Sequence, residues 1–178
     1  MKDLKQFNIP FIGLKEGSHL FTYQIDKTFF ELFQFDDYFD ANIKALLTIV
    51  KKSTFLELSF SAIGTVNIPC DTTNEPFDQE INTSLPLIVR FGSVFNNESD
   101  EILILPHGSF ELNVAQYIYE MIILSVPAKR THPNLLNGTM ESETLKKLKE
   151  LEITKVQTAK EADPRWDKLK DLLTEKKT

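Results

Sequence analysis

The sequence contains a single cysteine, Cys70, and three histidines, His19, His107 and His132. A thiol becomes a nucleophile once it is ionised, and an imidazole standing beside it can take its proton. These residues therefore permit a Cys-His hydrolase, although nothing in their spacing requires one. The alternative is a semi-buried structural thiol at a turn, because the polar stretch Asp71–Glu75 follows Cys70 directly.

A zinc site is a second possible use of Cys70. Such a site calls for about four ligands, commonly with two cysteines spaced as Cys-x-x-Cys. Here Thr73 stands three residues after Cys70, so the cysteine pair is missing. A site made of Cys70, His132 and two carboxylates stays open as an alternative. The sequence has no phosphate-binding glycine loop and no HExxH motif, so the residues alone favour a binding or assembly protein over an enzyme.

The element that carries Cys70 is predicted to be a β-hairpin over Asn67–Ile81. Its first arm alternates apolar and polar residues from Thr54 to Ile68 and stops at Pro69, which cannot donate to a sheet. The return arm begins with Phe77, and antiparallel pairing of the two arms is the simplest arrangement. Because Gly64 lies inside the first arm, we expect a bulge or a sharp bend there.

The remaining elements must hold this hairpin in place. Asn42–Lys51 alternates and predicts a strand with one buried face. The segments Gln6–Ile12 and His19–Ile25 flank a turn and predict a strand pair. Val114–Val126 predicts the main packing helix, capped by Asn113 with Gln116. We therefore predict an α+β fold with a mostly antiparallel sheet, either open or closed like a barrel.

The C-terminal part is predicted to be a tether. Ser142–Leu151 has leucines at helical spacing, and residues 152–162 are polar enough to predict a flexible linker. Residues 163–174 predict a short amphipathic helix that places Trp166 and three leucines on one face. We expect one domain over 1–151, then the linker, then this helix, which docks either on its own body or on a partner.

Composition and charge limit the function. With 178 residues of which 42% are hydrophobic, the chain can bury one core. One cysteine excludes an internal disulfide, and with no recognisable signal peptide we expect a cytoplasmic protein. Residues 141–178 hold 10 basic and 9 acidic side chains, which leaves 10 and 17 for residues 1–140. A body this acidic would repel bulk RNA, so any RNA contact must be local.

One basic segment interrupts the acidic body. Lys129, Arg130 and His132 follow the main helix between two prolines, Pro127 and Pro133. Such a cluster could bind phosphate, and it could equally be a solvated helix exit.

Three stretches, taken in order, resemble the YceD family of large ribosomal RNA subunit accumulation proteins. The first is Gly64–Phe77, which surrounds Cys70. The second is Phe110–Pro133, a helix followed by Val-Pro and then His-Pro. The third is Asp163–Trp166, which reads Asp-Pro-Arg-Trp and is followed by leucines. Their order and spacing agree with the family over roughly residues 20–173.

The chain departs from that family at positions that matter for a metal. Many members carry an Arg where Thr72 stands and a second Cys where Thr73 stands. Another Cys often lies near the position of residues 138–140. A four-ligand metal site implied by that pattern would keep only Cys70 and His132 here, so we expect no metal and no other cofactor.

The resemblance implies a cytoplasmic, non-enzymatic factor for the synthesis, processing or stability of 23S rRNA, without implying a mechanism. We predict binding to large-subunit rRNA or to a large-subunit ribosomal protein, and the net charge of −6 makes a protein at least as reasonable as bare RNA. The alternative is the thiol-dependent hydrolase using Cys70. The predicted partner-binding residues are Cys70, Asp71, Glu75, Phe77, Lys129, Arg130, His132, Asp163, Arg165 and Trp166.

Overall fold

The computed structural model describes residues 4–97, 99, 101–137 and 143–151. Its strands are β1 (Asn8–Ile9), β2 (Gly17–Asp26), β3 (Asp40–Lys51), β4 (Phe55–Pro69), β5 (Pro76–Gly92), β6 (Ile102–Pro106) and β7 (Leu112–Asn113). Five of them form a sheet in the order β2-β3-β4-β5-β6, antiparallel except for the β5–β6 pair, and β1 pairs with β7. The predicted α+β class is confirmed, and within the described residues the large sheet is open at β2 and β6.

The described residues also form four short helices. They are α1 (Lys27–Glu31), α2 (Ala115–Ser125), α3 (Pro133–Leu136) and α4 (Glu143–Leu151). None of these described helices is both long and apolar enough to cross a membrane. The helix predicted over Ser142–Leu151 is confirmed as α4, which belongs to a second compact unit starting at Glu141. The predicted linker and the helix over 163–174 lie outside the described residues.

The core lies on one face of the sheet, because strand side chains alternate between the two faces. In β3 the predicted inward residues, Ile43, Ala45, Leu47 and Ile49, are all buried. The buried residues of the helices, among them Phe30 of α1 and Ile122 of α2, belong to the same apolar cluster. Burying each large apolar side chain contributes about 1.5–3 kcal/mol, so this layer accounts for much of the fold's stability.

The predicted hairpin is confirmed as β4 and β5. The two strands pair without interruption from Pro69 opposite Pro76 to Phe55 opposite Arg90. Within the turn, the Asn74 N–H donates to the Cys70 carbonyl at 2.8 Å, and the Cys70 N–H donates to the Glu75 carbonyl at 2.9 Å. Asn74 has a positive φ of 59°, a conformation that Asn tolerates better than most residues.

The predicted bulge at Gly64 is wrong. Gly64 stands in register between Ile43 and Ile81, and the burial alternation of β4 continues through it. The glycine is required for another reason, since a Cβ at this position would lie 2.2 Å from the Asn42 carbonyl oxygen. The strands thus approach too closely there for any side chain.

Two further local predictions are wrong. The segment Gln6–Ile12 does not pair with β2: Asn8–Ile9 pairs with β7, and 3-10 turns flank it at Leu4–Phe7 and Phe11–Gly13. All ten residues of β2 pair with β3 instead, which is long enough to match them. The reciprocal capping box of α2 also fails. Asn113 accepts from the Ala115 N–H at 3.0 Å, but Gln116 turns away to donate to Glu120 at 2.8 Å.

Candidate functional site

The hairpin turn is joined to the segment that follows α2. The Asp71 N–H donates to the Arg130 carbonyl at 2.9 Å, and the Arg130 N–H donates to Asp71 Oδ2 at 2.7 Å. The His132 N–H donates to Cys70 Sγ at 3.4 Å. The predicted turn and the predicted basic exit therefore meet, although about sixty residues separate them along the chain. We call Cys70, Asp71, Thr73, Arg130 and His132 the Cys70 cluster.

The thiol of Cys70 is buried and surrounded by hydrogen-bond donors. Burial raises its pKa, because removal from water disfavours the thiolate. The Thr73 hydroxyl and the backbone N–H groups of His132, Thr72 and Thr73 act in the opposite direction, since they donate to the sulfur. The donors prevail, and the pKa of the Cys70 thiol is lowered from 9.0 to about 7. Thr73 thus supplies a donor to the sulfur.

The imidazole of His132 is engaged elsewhere. Its Nδ1 accepts from the Asn134 N–H at 3.0 Å, which caps α3. Its ring packs on the ring of Phe77 with centroids 5.4 Å apart. The contact from His132 to Cys70 is made by the main chain, so the structure shows no imidazole nitrogen of His132 accepting the thiol proton.

Arg130 connects the cluster to a residue that the sequence did not suggest. Arg130 Nη2 lies 3.4 Å from Asp37 Oδ2, in the loop before β3. Next to Asp37, Tyr38 is buried, and that burial raises the pKa of its hydroxyl to about 12, with the nearby Arg130 charge acting against the shift. No local pattern marks Asp37, because its partner lies 93 residues away.

Carboxylates outnumber cations around the turn. Acidic residues occur in the turn, at the strand positions beside it and in the loop that reaches Arg130, and they are Asp37, Asp40, Asp71, Glu75 and Asp78. The cations in the same region are Lys129 and Arg130. Asp40 and Asp78 both lie opposite Asn67, one on each neighbouring strand. This end of the sheet is therefore acidic, apart from the short basic segment.

The predicted partner-binding residues fall into three groups. Asp71 and Lys129 are exposed, while Glu75, Arg130 and His132 are half-buried. Cys70 and Phe77 are buried, so in the free protein they position the cluster rather than offer contact area. The remaining three, Asp163, Arg165 and Trp166, lie outside the described residues.

The cluster lacks the ligand set of a structural metal site. Within the described residues, no three His, Cys, Asp or Glu side chains converge closely enough to hold a metal ion. Cys70 contributes one sulfur, but His132 approaches it through its main chain and Thr73 contributes only a hydroxyl that donates to the sulfur. The residues present here do not fit a zinc site, which needs about four such donors.

Comparison with known proteins places this arrangement in a family. No curated protein and no solved structure matches the chain. The family model described as "Large ribosomal RNA subunit accumulation protein YceD" matches residues 58–173, more than half of the chain. The match includes the hairpin turn, the segment with Arg130 and α2, and the description names the accumulation of large ribosomal RNA and no reaction. The chain belongs to the YceD family.

Proposed function

We propose that this chain is a non-enzymatic ribosome-biogenesis factor that supports the synthesis, processing or stability of 23S rRNA. It acts where ribosomes are assembled, in the cytoplasm, by binding a component of the large subunit. The observation that carries the proposal is the joining of the hairpin turn to Arg130, within a segment that the family match covers. Two distant parts of the chain are fixed against each other there, as a recognition surface requires.

The charge around the Cys70 cluster favours a basic ribosomal protein as the direct contact. Exposed carboxylates such as Asp71 and Asp37 lie beside a single half-buried guanidinium, that of Arg130. Such a surface would repel a phosphate backbone and attract lysine- and arginine-rich segments. Direct contact with rRNA at this end is the less favoured form of the same function, and it would rest on Lys129 and Arg130.

The C-terminal region completes the proposal. We propose that residues 1–151 form the domain, that 152–162 link it to a short helix over 163–174, and that Asp163, Arg165 and Trp166 add a second contact. A short linker would raise the effective concentration of that helix near the first contact, so the two together would bind more tightly than either alone.

The decisive experiment is sedimentation of a tagged full-length chain against large-subunit precursors, together with measurement of 23S rRNA in a strain that lacks it. We expect co-sedimentation, and a fall in 23S rRNA when the chain is absent. The double variant Asp71→Asn, Glu75→Gln keeps side-chain shape while removing two charges, and we expect it to lose most of the co-sedimentation. Unchanged 23S rRNA in the deletion strain would refute the proposal.

The matched control is Glu16→Gln, Glu101→Gln. Both residues are exposed and lie away from the turn, before β2 and before β6, so the variant removes the same charge. We expect wild-type sedimentation from this control. Equal losses in the two double variants would mean that net charge, rather than the Cys70 cluster, drives the association.

One observation favours the second candidate, a thiol-dependent hydrolase: the lowered pKa of Cys70. Its thiol is nevertheless only 2% exposed, and His132 Nδ1 already accepts a hydrogen bond from Asn134. A catalytic thiol should react quickly with iodoacetamide at neutral pH, and Cys70→Ala should abolish function without unfolding the chain. We expect slow alkylation and normal 23S rRNA in Cys70→Ala, which would eliminate this candidate.

A further inference from the structure

The end of the sheet opposite the Cys70 cluster collects cations and aromatic rings. Phe55 and Arg90 are cross-strand neighbours on β4 and β5. Lys52 Nζ lies 5.0 Å from the centroid of the Phe55 ring. We call Lys51, Lys52, Phe55, Arg90 and Phe91 the basic end. No local pattern marks it, because its members come from three strands and a turn.

Two cavities open at the basic end, and both border Phe91. The first has a volume of about 220 Å³ and is lined by apolar Phe11 and Leu56 as well as by Lys51, Lys52 and His107. The second, of about 370 Å³, is lined by Thr54, Phe55, Arg90 and Phe91. Phe55 and Arg90 are cross-strand partners and share the outer face of the sheet, where half-buried Phe55 leaves part of its ring open to a ligand. Phe91 lies on the core side, where it packs on Phe11.

The cations here are poorly neutralised by the described residues. Lys51 Nζ donates to the carbonyls of Phe11 at 2.9 Å and Leu14 at 2.7 Å, so it holds that loop and pairs with no carboxylate within the described residues. Lys52 pairs with Glu57 at 2.6 Å, and Arg90 forms no ion pair within the described part of the chain. Three cations thus stand against one carboxylate in a protein whose net charge is −6.

We propose that the basic end binds single-stranded RNA. A base stacks on the exposed part of the Phe55 ring, and the neighbouring phosphates contact Lys52 and Arg90. Proteins that hold single strands combine cations that track the backbone with aromatic faces that accept any base, and both occur here within one cross-strand pair. A guanidinium suits this role because it can bind phosphate with two hydrogen bonds at once.

This inference rests on the proposed function only for the choice of RNA over another polyanion, and it uses no residue of the Cys70 cluster. Lys51, Lys52 and Phe55 precede residue 58, where the family match begins. The two proposals therefore concern different surfaces and can fail separately.

The test is fluorescence anisotropy of a short fluorescein-labelled oligouridylate with the purified full-length chain, at low and moderate KCl. We expect saturable binding that weakens as salt rises, because phosphate contacts release counterions. Arg90→Gln should weaken binding about fivefold or more and flatten the salt dependence by about one charge. No saturable binding at low salt would overturn the proposal.

Lys44→Gln is the matched control. Lys44 is exposed on β3, near the other end of the sheet, and the substitution removes the same charge. We expect a change of less than about twofold, since salt-dependent attraction falls off over about 10 Å. Equal losses in Arg90→Gln and Lys44→Gln would overturn the proposal, because they would show general attraction to the body.

Phe55→Leu separates stacking from charge. Leucine keeps an apolar side chain but removes the ring, and we expect binding to weaken about fivefold or more. A thermal melt of Phe55→Leu is the check that this variant is folded. Unchanged binding in folded Phe55→Leu would overturn the proposal as stated, because the ligand would then be any polyanion.

The two proposals are distinguished by combining the assays. Loss of oligouridylate binding in Arg90→Gln with normal sedimentation supports the basic end as a separate surface. Binding of the oligonucleotide without any sedimentation would overturn the proposed function alone. Sedimentation without oligonucleotide binding by the wild-type chain would overturn the present inference alone.

Discussion

The two ends of the β4–β5 hairpin differ in charge and in how their side chains are held. β4 has 15 residues, so at about 3.3 Å per residue its ends lie roughly 45 Å apart. At one end, the Cys70 thiol and Asp71 are fixed by hydrogen bonds from a distant segment within an acidic surface. At the other, Lys52 and Arg90 are exposed beside half-buried rings.

The net charge of −6 averages over an acidic end and a basic end of one hairpin. Under the two proposals, the acidic end takes basic protein segments and the basic end takes a single strand, so an acidic protein serves an RNA-rich assembly. One long hairpin would keep these two surfaces apart, so that each contributes its own salt dependence. Four experiments test the contrast between the two ends, and the substitution with the greatest effect on stability comes first.

Gly64→Ala should disrupt both the Cys70 cluster and the basic end, because β4 contributes residues to each. A Cβ there would meet the Asn42 carbonyl oxygen at 2.2 Å and Ile43 Cα at 2.6 Å, and neither main-chain atom can move away cheaply. We expect a loss of about 3 kcal/mol or more in the free energy of unfolding, measured by urea denaturation.

Gly13→Ala is the control for that substitution, since a Cβ at Gly13 meets nothing within 4 Å. We expect its stability to be unchanged or raised by up to about 1 kcal/mol. A Gly64→Ala protein as stable as Gly13→Ala would contradict the close approach of β3 and β4.

Raising the pH should stabilise the Cys70 end. The folded-state pKa of Cys70 is lowered to about 7 from 9.0, so between these values the unfolded chain binds more protons than the folded one. The unfolding free energy should therefore rise by about 2 kcal/mol from pH 7 to pH 9, and the gain is lost as pH falls through 7. Urea denaturation at several pH values measures it.

Cys70→Ala provides the reference curve, because it keeps every other titrating group. The predicted gain is the difference between the two curves. If both proteins gain equally between pH 7 and pH 9, the donors around the sulfur do not stabilise a thiolate.

Asp71→Ala should loosen the Cys70 end without unfolding the chain. The substitution removes the acceptor of the Arg130 N–H, which lies 2.7 Å from Asp71 Oδ2. Because Asp71 is exposed, water can replace part of this bond, and we expect a loss of about 1 kcal/mol by urea denaturation.

Asp36→Ala is the matched control. Asp36 is exposed, and it forms no hydrogen bond within the described part of the chain. It should change stability by less than about 0.5 kcal/mol. Equal effects of the two substitutions would mean that the Asp71–Arg130 contact adds no stability.

Lys52→Gln should have the smallest effect on stability. Its ion pair with Glu57 is 2.6 Å long, but the two side chains are 45% and 41% exposed, and such pairs contribute less than about 0.5 kcal/mol. The same substitution should weaken oligouridylate binding. A clear fall in melting temperature would show that Lys52 serves the fold rather than a ligand.

The elements predicted correctly are those whose signals are local. The alternation of Ile43, Ala45, Leu47 and Ile49 predicted β3, and the polar residues between Cys70 and Pro76 predicted the hairpin turn. The apolar run of Ala115–Ser125 likewise predicted α2. In each case the period of the side chains determines which face is buried, and that period can be read without knowing the partner.

The elements missed depend on partners distant in the chain. Asp37 meets Arg130 across 93 residues, and Arg90 meets Phe55 through strand pairing. The pairing of Asn8–Ile9 with β7 also joins segments that are far apart in the chain. The sequence pattern instead favours pairing with the nearby segment His19–Ile25, which is wrong. The family motif pointed to the place of Thr73, but only the structure shows its hydroxyl donating to Cys70.

The donor set around Cys70 has a consequence for the order of folding. The turn closes between Pro69 and Pro76, which are seven residues apart, whereas the Cys70–His132 contact spans 62 residues. Short loops close at lower entropic cost, so the hairpin, with its Thr72 and Thr73 donors, should form while the thiol is still accessible. The His132 donor is added only when the segment with Arg130 has docked, and the thiol should then be shielded from reagents. Cys70 is thus a built-in reporter of completed folding, and its alkylation rate would follow the final docking step in time.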